Sequence, residues 1–168
     1  MRYIGAMVSL LRFASIVGIG GTLLAISGPV FVNNLHASKS TEALLGLDHI
    51  ARAAVLGAAD RSQVESFPPS VALTPGEVPR GTRVVDPPGT WDHLTWRALD
   101  FNLEHEHAFC FEFDSSVEPG TDVARFAARA RGDLDGDGTF SLFEVRGERP
   151  PGAPAAAMAG LLIRREVE

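Results

Sequence analysis

The sequence predicts an α+β fold in which a long N-terminal helix, transmembrane at first and amphipathic afterwards, packs on a small antiparallel β-sheet. Three observations predict it. Residues 13–32, FASIVGIGGTLLAISGPVFV, carry no charge and are long enough for a helix to cross the ~30 Å apolar core of a bilayer. Leu44, Leu47, Ile50, Ala51, Ala54 and Ala58 then recur at helical spacing, with Glu42, Asp48, Arg52 and Asp60 between them. Further on, Phe109, Phe111 and Phe113 alternate with Ala108, Cys110 and Glu112, the period of a strand with one aromatic face.

These signals divide the chain into an N-terminal transmembrane helix over residues 1–32, its amphipathic continuation over 33–62, and a globular domain with the sheet over 63–168. Arg2 and Arg12 precede the apolar stretch, and positive charge tends to stay in the cytoplasm, so the N-terminus is expected inside and the C-terminal domain outside. Gly18, Gly20, Gly21, Ala25 and Ser27, with Pro29 in the same stretch, are the candidate packing residues, because small side chains let a partner helix approach closely in lipid. A second reading of the same stretch is a cleaved secretory signal, with Ala25-Ile26-Ser27 as the small-residue site before Gly28. It would release a soluble exported protein. Pro29 and the length of the apolar run favour the uncleaved span.

Gly57 and then Phe67-Pro68-Pro69 end the amphipathic helix. Prolines 68, 69, 75, 79, 87 and 88, with Gly76, Gly81 and Gly89, make residues 66–90 an ordered loop without regular structure. Trp91 and Trp96 are expected to bury their large rings in the core. Ala124, Phe126, Ala128 and Ala130 alternate with Arg125, Ala127, Arg129 and Arg131, as in a half-buried strand, although Val123, Phe126, Ala127 and Ala130 also fit a helical stripe. Residues 152–160, small and rich in Ala and Pro, read as a weakly specified connection, and residues 161–167 as a last strand or a helical end.

The run GDLDGDG, residues 132–138, supports two readings. As a calcium loop, Asp133, Asp135 and Asp137 take the first, third and fifth positions, Gly138 the sixth, Ser141 the ninth and Glu144 the twelfth. Hard oxygen ligands at that spacing suit calcium. The exit from Leu142 to Arg146 is too short for the helix that an EF-hand needs, however, so the favoured reading is a hairpin with its acidic tip in solvent. Glu104-His105-Glu106-His107 is the other cluster of ligand types. On a strand its two imidazoles would share a face, but a zinc site needs more protein ligands than two.

A formal net charge of −6 leaves no basic footprint for nucleic acid. Cys110, the one cysteine, cannot form an internal disulfide and reads as a buried, inert thiol. There is no GxSxG elbow, HExxH, phosphate loop or dinucleotide fingerprint. No enzyme activity, small-molecule substrate or cofactor other than calcium is expected.

An apolar N-terminal helix, an amphipathic continuation and then a small antiparallel sheet resembles the type IV pilin-like proteins, including minor pilins and pseudopilins of secretion systems. Residues 21–31, GTLLAISGPVF, look like the middle of a pilin membrane helix, and the pattern of Trp96, Phe109 to Phe113, Phe126 and GDLDGDG with Ser141 is similar to pilin-like proteins as well. The resemblance implies a non-enzymatic subunit of a type IV pilus or type II secretion-type assembly. It would be single-pass in the inner membrane, with a periplasmic or extracellular domain, and would pack on other pilin-like subunits through the N-terminal helix. Prepilins are cut after a glycine, for which Gly5 is the candidate, and carry a glutamate five residues on; Leu10 or Arg12 stands there in this chain. That departure points to a tip-type minor subunit, or a relative that remains in the membrane, rather than a major pilin.

Overall fold

A computed structural model describes residues 40–158 and 162–164. Gly5, Gly18, Gly20, Gly21, Ala25, Ser27, Pro29 and the whole apolar stretch lie outside those residues. Among the described residues no helix is long and apolar enough to cross a membrane.

Helix α1 covers residues 40–57 and closes in a 3-10 turn, Ala58–Asp60. Its buried stripe is Ala43, Leu47, Ile50, Ala51, Ala54 and Ala58; the periodicity predicts all but Ala43, and Leu44, which it includes, is half-buried beside them. At the C-terminal end, orphan carbonyls of the helix need donors. Arg149 supplies them, its Nη1 donating to Ala58 O at 2.7 Å and Arg61 O at 2.9 Å, so a cation sits at the negative end of the helix dipole. Nearer its start, Glu42 accepts from Ala108 N at 2.9 Å and pairs with Arg83 at 2.6 Å, tying α1 to the entry of the sheet.

The sheet has six strands: β1 Val71–Thr74, β2 Phe109–Val117, β3 Ala124–Gly132, β4 Ser141–Arg149, β5 Ala156–Ala157 and β6 Leu162–Arg164. All pairings are antiparallel in the order β1-β2-β3-β4-β5, and β6 also pairs β4. The ambiguous segment from residue 124 is therefore a strand, and residues 162–164 resolve the C-terminal alternative in favour of a strand. One element, β1, departs from the loop reading of residues 66–90, and a short helix that the sequence reading did not include follows that loop. Val71–Thr74 pairs with β2 despite Pro68, Pro69 and Pro75 around it, and a short helix α2 spans Leu94–Ala98, capped by the His93 ring accepting from Thr95 N. β5 likewise lies within the expected connection 152–160.

One face of the sheet carries Phe109, Phe111 and Phe113 from β2, Ala124, Phe126, Ala128 and Ala130 from β3, and Phe143 from β4, all buried under α1 and the two tryptophans. Large and small residues alternate across the strands. The register sets Phe109 beside Gly132, Phe111 and Phe143 on either side of Ala130, and Phe126 beside Gly147. Small residues on β3 let rings from its two neighbours lean over it, and Phe109 reaches Phe143 edge-on at 5.7 Å between centroids. Phe111 in turn lies beneath α1, where a Cβ on Gly46 would stand 2.6 Å from its ring.

These glycines are seats for rings rather than turns. A Cβ at Gly147 would press into the Phe126 ring and stand 2.8 Å from Ala156 O, which cannot swing away as a side-chain end can. Gly147→Ala should therefore cost about 1–3 kcal/mol through overpacking and lower the melting temperature. Gly76→Ala, whose Cβ meets nothing within 4 Å, should stay within about 0.5 kcal/mol of the parent. Thermal denaturation of the pair, side by side, checks the assignment.

Candidate functional site

The hairpin tip between β3 and β4 gathers the three aspartates. One carboxylate oxygen from each of Asp133, Asp135 and Asp137 lies within 4.8 Å of the others, and they are the only such group among the described residues. Asp133 is buried, whereas Asp135 and Asp137 are exposed, so only part of the acidic tip is in solvent as expected. The loop's own amides hold the carboxylates in place. Asp133 Oδ1 accepts from Gly136 N at 2.8 Å and its Oδ2 from Gly138 N at 3.1 Å. Asp135 accepts from Asp137 N at 3.1 Å and Asp137 from Thr139 N at 2.6 Å. Gly136 and Gly138 make this possible, with φ of 82° and 90°, a region that L side chains avoid.

The other two ligands of the calcium reading do not join them. Ser141 pairs with Gly132 at the last rung of the ladder, on the aromatic face, and its buried Oγ has no hydrogen-bond partner among the described residues. Glu144 lies three residues into β4, on the opposite face of the sheet, where its carboxylate is bonded to Arg129 and Arg146. The reason is periodicity: a twelfth-position glutamate folds back over its loop from a helix, whereas a strand carries it away. The tip can offer a divalent cation three carboxylates, but not the closing bidentate glutamate.

Glu144 belongs instead to an ionic ladder across the outer face. In register, Glu112, Arg129 and Glu144 form one row. Arg129 Nη1 reaches Glu112 at 3.0 Å and Asp114 at 2.6 Å, and its Nε donates to Glu144. Arg131 pairs with Glu112 at 3.1 Å and Arg146 with Glu144 at 2.6 Å. Burial alone would raise the pKa of Glu144, but the hydrogen bonds and charges of Arg129 and Arg146 outweigh it and hold the carboxyl below its usual range.

The loop before α2 builds a cluster with no counterpart in sequence spacing. The His107 ring, 2% exposed, stands between Asp86 Oδ2 at 2.9 Å from Nε2 and Phe109 O at 2.8 Å from Nδ1. Both neighbours of the ring are hydrogen-bond acceptors. Asp86 Oδ2 also accepts from Trp91 Nε1 at 2.8 Å. His107 and Val84 exchange backbone hydrogen bonds at 2.9 Å, so residues 104–107 precede the strand rather than continue it. His105 is exposed at a bend while His107 is buried, and the two imidazoles do not share a face. Cys110 is buried as expected, its Sγ donating to Glu77 O at 3.2 Å. Burial, and then the nearby charge of Asp86, push its pKa up to about 12, so the thiol stays protonated and unreactive at neutral pH.

The chain matches no protein-family profile, and no curated protein or solved structure is significantly similar to it. Its function is therefore read from its own geometry.

Two consequences are measurable. Asp133→Ala strips two loop amides of their acceptor and should destabilise the protein by about 1–3 kcal/mol in chelating buffer; an effect seen only with calcium present would contradict the self-bonded loop. Because Glu144 ionises more easily folded than unfolded, its contribution is fully present above the ordinary carboxylate pKa of about 4.3 and is lost as pH falls through the lower folded value. Glu144→Gln should thus lower stability by roughly 1–3 kcal/mol at pH 7 and flatten the acid limb of a melting-temperature profile below about pH 5.

Proposed function

We propose that this chain is a non-enzymatic, pilin-like structural subunit, held in the inner membrane by residues 13–32, with the body described above on the outer side. The observation that carries this reading is the order of parts. An uncharged stretch of membrane-spanning length leads into α1, whose Leu/Ala stripe lies on the aromatic face of an antiparallel sheet. An apolar stretch that shortly precedes a core helix in sequence is the order of parts that a subunit of a helix-packed assembly requires.

The residues that could carry chemistry are engaged structurally. Both nitrogens of His107 are hydrogen-bonded, the Cys110 thiol stays protonated, and Glu144 is bound by two arginines. The departure from glutamate at the processing position favours a minor or membrane-resident subunit over a major pilin.

In the native host the full-length protein should pellet with membranes and resist high-salt extraction, and the outer body should be cut by protease added outside the inner membrane. Recovery of a soluble species beginning at Gly28 would overturn the anchored reading in favour of a cleaved secretory signal.

A further inference from the structure

Helix α1 carries a second stripe beside its buried one. At ~100° per residue, Leu44, Leu45, Asp48, Arg52, Val55 and Leu56 fall within about 120° of its circumference. Leu45 and Leu56 are 65% and 74% exposed, more than a lone surface position needs to be for water to reach it, and they stand at the two ends of the stripe. Between them Asp48 and Arg52 pair at 2.7 Å, both in solvent. Leu44, Val55 and Leu56 also line, with Val145 of β4 and Ala157 of β5, an apolar groove of about 570 Å³ alongside the helix. The stripe reads the same from either end. Leu44 and Leu56, Leu45 and Val55, and Asp48 and Arg52 are each centred on residue 50, with an acid answering a base in the middle.

We propose that this face docks on the same face of a second copy of the chain, in an antiparallel pair whose twofold axis passes near residue 50. Reversing one helix brings Asp48 of each copy level with Arg52 of the other, and Leu45 of each against Leu56 of the other. Both ionic contacts are then attractive, and leucines close the two ends against water. A parallel pair loses this match: the four-residue offset that joins Asp48 to Arg52 sets Leu44 against Asp48 and Arg52 against Leu56. Exposed ion pairs contribute little by themselves, so the leucines supply the attraction and the charges fix the direction. A self-complementary patch is what a twofold interface requires. The pairing goes beyond the anchored-subunit reading and does not rest on it, since every residue it uses belongs to the described body.

The test is sedimentation equilibrium of the full-length protein in detergent, where the parent should dimerise in a concentration-dependent way. Asp48→Arg and Arg52→Asp each place like charges opposite each other twice, and each should weaken association at least about tenfold. An equimolar mixture of the two variants should recover the dimer, because one copy then presents two bases and the other two acids. Circular dichroism should match the parent for both, as these positions are exposed. Association through residues 13–32 would respond to neither variant, which separates this interface from the proposed anchor. Oxidation of a mixture of Leu45→Cys and Leu56→Cys should give a disulfide-linked dimer that neither forms alone, with Cys110 buried and protonated in both. A parent that stays monomeric, charge variants that dimerise like the parent, a mixture that fails to recover the dimer, or Leu45→Cys linking to itself, the mark of a parallel pair, would each overturn the proposal.

Discussion

The constraint on which the rest of the structure depends is the alternation of large and small side chains across β2, β3 and β4. Each rung of the buried face places a ring beside a residue that leaves it room: Phe109 beside Gly132, Phe111 and Phe143 around Ala130, Phe113 beside Ala128, and Phe126 beside Gly147. Protein interiors are packed as densely as organic crystals, so rings on three adjacent strands would not fit at one level. With β3 kept small at most levels, the aromatic layer is flat enough for α1 to approach until Gly46 lies over Phe111.

The opposite face obeys the same register with different chemistry. Where β3 offers alanine or glycine inward, it offers Arg125, Arg129 and Arg131 outward, and the neighbouring strands answer with Glu112, Asp114, Glu144 and Glu148. Isolated surface pairs contribute little. Here Arg129 serves three carboxylates at once, so the conformational cost of ordering one side chain is shared among several bonds. The hairpin tip repeats that economy with backbone donors, since Asp133 closes two amides of the turn.

α1 is part of the core of the described body, and the proposed anchor precedes it in sequence. A cleft beside Asp86 lies in the loop-rich region, where residues 85–92, α2 and residues 100–104 meet. Loops on a rigid scaffold are where binding groups accumulate, and the aromatic layer underneath supplies the rigidity.

Period-based features were legible in the sequence. The α1 stripe, the aromatic face of β2, the arginine-lined alternation of β3 and the burial of Trp91, Trp96 and Cys110 all follow from spacing and residue type, because a helix or strand repeats its environment every few residues. The short β1 was hidden by its flanking prolines. A strand of four residues has too few turns of the pattern to show a period, and only pairing with β2 stabilises it. The acidic tip was legible as a turn, but which of its neighbours point into it was not. Glu144 has the right spacing for a calcium loop on a helix and the wrong one on a strand, and the choice rests with pairing to β3. The Asp86, Trp91 and His107 cluster could not be read at all, since its members are brought together by the loop crossing onto β2. Sequence by itself determined what repeats along the chain. Tertiary structure decided which side chains from distant segments share one buried acceptor, because such meetings depend on chain path and not on local periodicity.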